Sequence, residues 1–393
     1  MVLCSARKGF VASYDRTAGM GKVQKHDFSV NFFHINVLPI TIAMKSLQMI
    51  ILPFLLSLWL SEAWKERPFA GTSPVSSRIL ALRGGASHSI NKDTEDTTHS
   101  QSMYGRQGNN QFLLTPEQIE AFHRDGCVTI PDVLTSEEVD ELDIICEKLL
   151  SGEIPIPGRD YCDMSQGYNT PRDQWRLINA MLPTKYYPPL LNNIFEQLTA
   201  SMARQLYPHS HMTKDYDQLL NKLPGKEGAV FSWHADMAYW PGSNILGVNL
   251  TDTCTFSLAL DDSDPENGCL RYVAGSGQSR TLRPHRPLLT DRDEGHALTV
   301  DVDEATEDVR YAPVRRGSLT IHNEWVVHGS GGNQCRDRQR RTYVLAYRAK
   351  EIVEAERRLG FTHSHNDNVN WDTFQDGESH RVKSQADSPN HKN

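Results

Sequence analysis

Apolar residues follow two rhythms along the middle of the chain. Within residues 114–207 several stretches carry them every three or four positions; beyond Gln218 they fall into short runs cut by Gly, Pro, Asn and Asp. In the first stretch Thr115-Pro116-Glu117-Gln118 has the form of a helix start: a hydroxyl cap, a proline in the first turn, and an amide side chain three residues after the cap. Ile119 and Phe122 then share a face, and Gly126 ends the helix. The β-branched run Cys127-Val128-Thr129-Ile130 predicts a strand. Thr135-Ser136-Glu137-Glu138 opens a second helix with Val139, Leu142, Ile145 and Leu149 in register. A third is predicted over residues 189–207, with Leu191, Ile194, Leu198 and Met202 apolar. The later runs VFSWHADMAYW, TCTFSLAL, CLRYVAG, SLTIHNEWVVHG and TYVLAYR are candidate strands. Short strands at this spacing predict a sandwich or barrel, and no internal repeat is visible.

The flanks differ from this centre. From Met44 the chain reads MKSLQMIILPFLLSLWLSEAWKERPFAG, with Lys45 as a positive start, an apolar run over 47–60, and small residues at Ser61 and Ala63 where a signal peptidase reads. That run is short of the roughly 20 residues a spanning helix needs. Pro53 and the missing polar face argue against a buried core helix. A signal peptide or signal anchor is therefore expected at about 44–63, either with Met44 as the true start or with the run as an internal anchor. It implies entry into the endomembrane system, with membrane anchoring as the alternative and this segment as the one point of membrane association. The following KERPFAGTSPVSSRILALRGGASHS, preceded by Trp64, resembles the two-part leader of algae with secondary plastids, which would carry the protein onward to a plastid. Residues 86–110 are polar and turn-rich and are read as a linker. The domains expected are a leader over 1–110, a folded domain over 111–370 and a polar tail over 371–393.

Composition narrows the class. The chain has 393 residues, 38% apolar and 23% charged, which suits a globular protein. A formal net charge of −8 suggests no nucleic-acid partner. The seven cysteines form no CxxC pair, so free and mostly buried thiols are expected. Asn249-Leu250-Thr251 is a glycosylation sequon, relevant only on the secretory path.

Chemistry concentrates at His234-Ala235-Asp236. In a strand, residues two apart project from one face, so an imidazole and a carboxylate can converge on one point. A third nitrogen ligand from a facing strand would complete a facial triad, which leaves open positions on a ferrous ion. A zinc site with three protein ligands is the rival by ligand type, and a non-catalytic metal-binding module is a second. The GSGG at 329–332 lacks the Lys-Ser/Thr and the strand–helix context of a phosphate loop.

Four blocks, in order, carry a resemblance: LTPEQIEAFHRDGCVTIPDVLTSEEV, QLLNKLPGKEGAVFSWHADMAYWP, LALDDSDPENGCLRYVAGSG and GSLTIHNEWVVHGSGGNQCRDRQRRTYVLAYR. Together, across residues 114–367, they resemble the phytanoyl-CoA dioxygenase family of Fe(II)- and 2-oxoglutarate-dependent oxygenases. The resemblance implies a mainly β fold with flanking helices around a double-stranded β-helix, the jelly-roll or cupin-like core. It implies Fe(II) held by His234, Asp236 and His328, with 2-oxoglutarate and O2 as co-substrates, and oxidation of a small organic substrate with release of succinate and CO2. His322, six residues before His328, matches a non-ligating position. Arg340 matches the cation that takes the far carboxylate of 2-oxoglutarate, with the neighbouring Arg341 as its competitor; a guanidinium fork suits that task. Ser330, Gln218, Asn221, Thr255 and Ser257 match positions near the co-substrate, although Ser257 stands where several members carry Trp. Tyr239 and Trp240 are expected to border the active site. Arg172, Arg176, Lys185 and Tyr186 are expected to face substrate, and His363 and His365 to occupy a surface or a lid. Asp236 fills the place a halide would need, which favours hydroxylation over halogenation.

Overall fold

The computed structural model describes residues 103–369 except Asn249. The apolar run at 44–63, Cys4, the sequon asparagine and the polar tail lie outside the described residues. Among the described residues no helix is long and apolar enough to cross a membrane.

Eleven strands form two antiparallel sheets. In chain order they are β1 Cys127–Ile130, β2 Tyr161–Asp163, β3 Leu177–Met181, β4 Met212–Lys222, β5 Phe231–His234, β6 Thr253–Ala259, β7 Leu270–Val273, β8 Val309–Ala312, β9 Leu319–His322, β10 His328–Ser330 and β11 Arg340–Ala349. The larger sheet has the order β1-β9-β6-β11-β4-β3-β2 and the smaller β8-β7-β10-β5. Crossovers such as β9-β6-β11-β4 in the larger sheet and β7-β10-β5 in the smaller give the jelly-roll arrangement of a double-stranded β-helix.

The helices start and stop where their end residues dictate. Thr115 and Thr135 each accept a hydrogen bond from the backbone N–H three residues on, and Gln118 and Glu138 reach back to the cap, so both capping boxes close. Gly126 and Gly152 end the two helices in the left-handed conformation. The third helix is Ile194–Leu206, shorter than the predicted 189–207, because Asn193 caps it and the prolines before it form only a 3-10 turn. Residues read as linker are also structured: Gly105–Gln107 pairs with Gln111–Leu113, and Arg106 forms a bidentate pair with Glu138.

Strand alternation sorts the larger sheet into two faces. Leu219, Phe256, Leu258, Leu319, Ile321, Tyr343 and Leu345 point to one side and pack against Phe122, Val139, Leu142, Leu149, Phe195, Leu198 and Met202 of the helices. Burying each such side chain contributes about 1.5–3 kcal/mol, so this face carries the main core. The residues between them point to the smaller sheet, and there the chemistry collects. The described cysteines are all free and buried, as their scattered spacing predicts.

Candidate metal centre

The HxD pair arises at a strand end. β5 stops at His234, Ala235 stays extended, and Asp236 begins a 3-10 turn over Asp236–Tyr239. Asp236 is thus not in the strand, yet the extended Ala235 preserves the two-residue alternation that aims both side chains one way. SLTIHNEWVVHG, expected as one strand, is two: β9 ends at His322 in the larger sheet and β10 opens at His328 in the smaller. That crossing separates the two histidines. His328 pairs directly with His234 across β10 and β5, their ring centroids 4.3 Å apart.

One donor atom from each of His234, Asp236 and His328 lies within 4.8 Å of the others. The Nδ1 of His234 is 2.7 Å from Ser232 O, and that of His328 is 3.0 Å from Val326 O. A carbonyl can only accept, so each ring carries its proton on Nδ1 and turns a bare Nε2 toward Asp236. Asp236 Oδ1 is 3.6 Å from His234 Nε2 and 3.5 Å from His328 Nε2. Burial works against the charge of the Asp236 carboxylate, but the surrounding His328, His234 and His322 hold its pKa well below the ordinary range. Burial, with His322 and His234 alongside, pushes the His328 imidazole down, so it stays neutral and able to ligate. Two neutral imidazole nitrogens and one ionised carboxylate, buried and converging, are a donor set that fits a divalent iron with open positions.

Two cavities meet at this point, with His234 and Asp236 lining both. Arg340, Ser330, Ser257 and Thr255 line one of them, and Gln218 lines both. Arg340 is fully buried, its Nε donates to Ser263 Oγ at 3.3 Å, and among the described residues no carboxylate lies within ion-pair distance of it. Burial pulls its pKa down to about 10, which still leaves it charged. Arg341 alternates to the helix side, where Asp143, Glu147 and Asp261 hold it in bonds of 2.5–3.1 Å. Asn221 is a correction: it pairs with Arg341 in register, bonds Gln339, and does not line the cavity, whereas Gln218 and Leu220 do. Thr255 is adjusted too, since its hydroxyl donates to Asp236 Oδ2 at 3.1 Å.

The sequence offered no sign of Lys222. Fully buried beside Arg340 in the register of β4 and β11, it donates to the carbonyls of Ala229, Ser330 and Gly331 and so pins the chain that bears Ser330. Gly329 and Gly332 have a steric cause and not a phosphate-binding one: a Cβ would lie 2.9 Å from Phe231 O in the first and 1.7 Å from Glu227 O in the second.

The second cavity lies on the other side of Asp236. Tyr239 and Trp240 line it as expected, together with Met164, Met181, His296 and Phe361. His363 and His365 line it as well, fully buried, against the surface or lid position read from the sequence. The chain after β11 folds back through the helix Lys350–Arg358 and brings Phe361, His363, Ser364 and His365 into the cavity wall, a return that local periodicity cannot show. Burial disfavours charge on His363, but Asp215, 2.7 Å from its Nε2, and Glu356 outweigh that and raise its pKa. Asp215, Glu356 and His363 could by themselves hold a metal. Arg348, at 3.0 Å from Asp215 and 2.7 Å from Glu356, together with Arg357 beside Asp215, already supplies the cations that offset them. Arg172, Arg176, Lys185 and Tyr186 do not line the cavity: Arg172 donates to Tyr161 Oη, and Tyr186 donates to Asp160.

The family model described as "Phytanoyl-CoA dioxygenase (PhyH)" matches residues 122–342, more than half of the chain. The chain belongs to the phytanoyl-CoA dioxygenase family. Like the family it is an Fe(II)- and 2-oxoglutarate-dependent dioxygenase, an oxidoreductase acting on a small molecule. It is similar to an ectoine dioxygenase of Nocardia farcinica, 25% identical over 233 residues that cover 55% of this chain and 72% of that one. A probable alpha-ketoglutarate-dependent hypophosphite dioxygenase of Stutzerimonas stutzeri is 30% identical over 129 residues, 32% of this chain and 41% of its own. Among solved structures, EvdO2 from Micromonospora carbonacea var. aurantiaca complexed with 2-oxoglutarate is similar over 60% of this chain and 91% of its own, with 23% identity and a TM-score of 0.48.

Proposed function

We propose that His234, Asp236 and His328 hold the ferrous ion and that Arg340 and Ser330 receive the far carboxylate of 2-oxoglutarate, for hydroxylation of a small polar substrate in the cavity of Tyr239, Trp240 and His363. The observation that carries this reading is the junction of two cavities at one buried donor trio, with one of the two lined by the guanidinium of Arg340, which has no carboxylate within ion-pair distance among the described residues. When bound, iron couples decarboxylation of 2-oxoglutarate and reduction of O2 to oxidation of a substrate C–H bond.

The residues of the chain do the rest. Arg340 offers a planar fork to a carboxylate inside a low-dielectric wall, where such a contact is strong. Ser330 is held beside it by Lys222. Leu220, Leu270 and Val344 keep water from that cavity. Asp236 occupies the place of a halide, which favours hydroxylation. The ectoine and hypophosphite named for the relatives are small and polar, which supports a substrate of that size.

Purified protein supplied with Fe(II), O2, 2-oxoglutarate and an extract of small metabolites should release succinate in proportion to 2-oxoglutarate consumed. Loss of activity on omitting any one of the three, and a product heavier by one oxygen from 18O2, would support the reading. Turnover with zinc in the absence of O2 would replace it by hydrolysis. The apolar run and small residues at 44–63 support entry into the endomembrane system, which a reporter fused after residue 110 tests by its location.

A further inference from the structure

The two oxygens of Asp236 face different neighbours. Oδ1 looks toward His234 Nε2 and His328 Nε2, at 3.6 and 3.5 Å. Oδ2 looks away from them: it accepts from Thr255 Oγ1 at 3.1 Å and lies 3.3 Å from His322 Nε2. Thr255 and His322 are themselves cross-strand partners in β6 and β9, so the larger sheet sets both against the same oxygen.

His322 is the unusual member. It is 3% exposed, and neither ring nitrogen makes a well-formed hydrogen bond to any described residue. A buried imidazole whose one near polar neighbour is the Asp236 carboxylate is costly and seldom kept without a task. Its ring lies tilted beside that of His328, with centroids 4.1 Å apart, but it is not one of the trio whose donor atoms converge. Its strand belongs to the other sheet, and its Nε2 meets Oδ2 of the carboxylate, while the two ligand nitrogens meet Oδ1.

We propose that His322 is a positioning residue: as the Nε2–H tautomer it holds Oδ2 of Asp236 together with Thr255, so that Oδ1 alone is presented to the ferrous ion. This rests on the reading of His234, Asp236 and His328 as the iron ligands. A carboxylate free to rotate can bind a metal through both oxygens and close a position that the co-substrate or O2 needs. Two donors fixed on Oδ2 prevent that, and they also lock the ligand's direction, as outer partners of metal ligands do.

Cobalt(II) serves as the probe, titrated into the full chain and read by its visible spectrum. His322→Gln places an amide nitrogen near the position of Nε2; His322→Asn places it nearer to Nδ1 and short of Oδ2. We expect His322→Asn to bind cobalt(II) about 10–100-fold more weakly, with an altered spectrum, and His322→Gln to recover most of both. Adding Thr255→Val to His322→Asn should weaken binding further. Equal affinity and spectrum for wild type and His322→Asn would overturn the proposal. So would a loss in His322→Gln as deep as in Asp236→Ala, because His322 would then be a ligand. If wild type and Asp236→Ala bind cobalt(II) alike, the metal centre itself has been misread, a result distinct from the other two. Circular dichroism of each variant confirms that the comparisons are between folded proteins.

Discussion

Arg340 and Arg341 are sequence neighbours that face opposite sides of one strand: the first is buried against the cavity lined by Ser330, Ser257 and Gln218, the second is bound by three carboxylates beneath the helix Ser136–Ser151. Their substitution effects should separate accordingly. Arg340→Ala is expected to raise the KM for 2-oxoglutarate about 10–100-fold, the effect of losing a charged hydrogen-bond pair of about 1.5–3 kcal/mol, with little change in melting temperature. Arg341→Ala should leave that KM within a factor of two or so and lower stability by about 3 kcal/mol, because Asp143 and Asp261 are left near one another without their cation. Steady-state kinetics and thermal melts on both variants decide the assignment; the reverse pattern would give the clamp to Arg341.

Metal removal should be visible in stability. A ligand present at 100 times its dissociation constant and bound only by the folded state stabilises by about 2.7 kcal/mol. Ferrous iron under anaerobic conditions is therefore expected to raise the melting temperature of the apo-protein by several degrees, and a chelator to reverse it. Asp236→Ala and His328→Ala should abolish the rise. A rise that persists in both variants would mean that the metal binds elsewhere.

Glu324 predicts a pH dependence. It is fully buried with Oε2 unpartnered, and burial pushes its carboxyl up to about 7 from an ordinary 4.5. Between those values the folded protein keeps a proton that the unfolded chain has released. The associated stability is complete below about pH 4.5 and is lost as pH rises through 7. Glu324→Gln cannot lose that proton, so it should gain on wild type by about 2–3 kcal/mol between pH 5 and pH 9. Denaturant melts at the two pH values measure it, and parallel curves would refute the assignment.

Arg348 holds together Asp215 and Glu356, and through them His363 at the wall of the cavity lined by Tyr239 and Trp240. Removing one partner of a buried ion network costs about 3–5 kcal/mol. Arg348→Met should lower the melting temperature accordingly. The additional change Asp215→Asn should return part of the loss, since it relieves one of the stranded charges. No recovery in the double variant would show that packing of Arg348 on Trp240, 4.0 Å away, matters more than charge.

How much of this could be read along the chain depends on the range of the forces involved. Helix caps act within three or four residues, so Thr115, Gly126 and Thr135 announced their helices, and local alternation aimed His234 and Asp236 together. The ligand set, the clamp and the polar residues near the co-substrate came from resemblance; the fold brings donor atoms of His234, Asp236 and His328 together and sets Arg340, Ser330, Gln218, Thr255 and Ser257, but not Asn221, around one cavity. Register is a property of paired strands and is invisible in either alone. It took the folded sheets to put His328 opposite His234, to send Asn221 and Arg341 to the helix face, and to divide His322 from His328 between two sheets. Long-range return is likewise absent from local pattern: His363 and His365 read as a loose end because the partners that bury them, Asp215 and Asp160, lie some 150 to 200 residues earlier. Residue types and short-range periodicity thus specified which chemistry the chain could perform. Where each group points, and which of two like residues does the work, was set by the pairing of strands and the burial of charge that folding alone brings about.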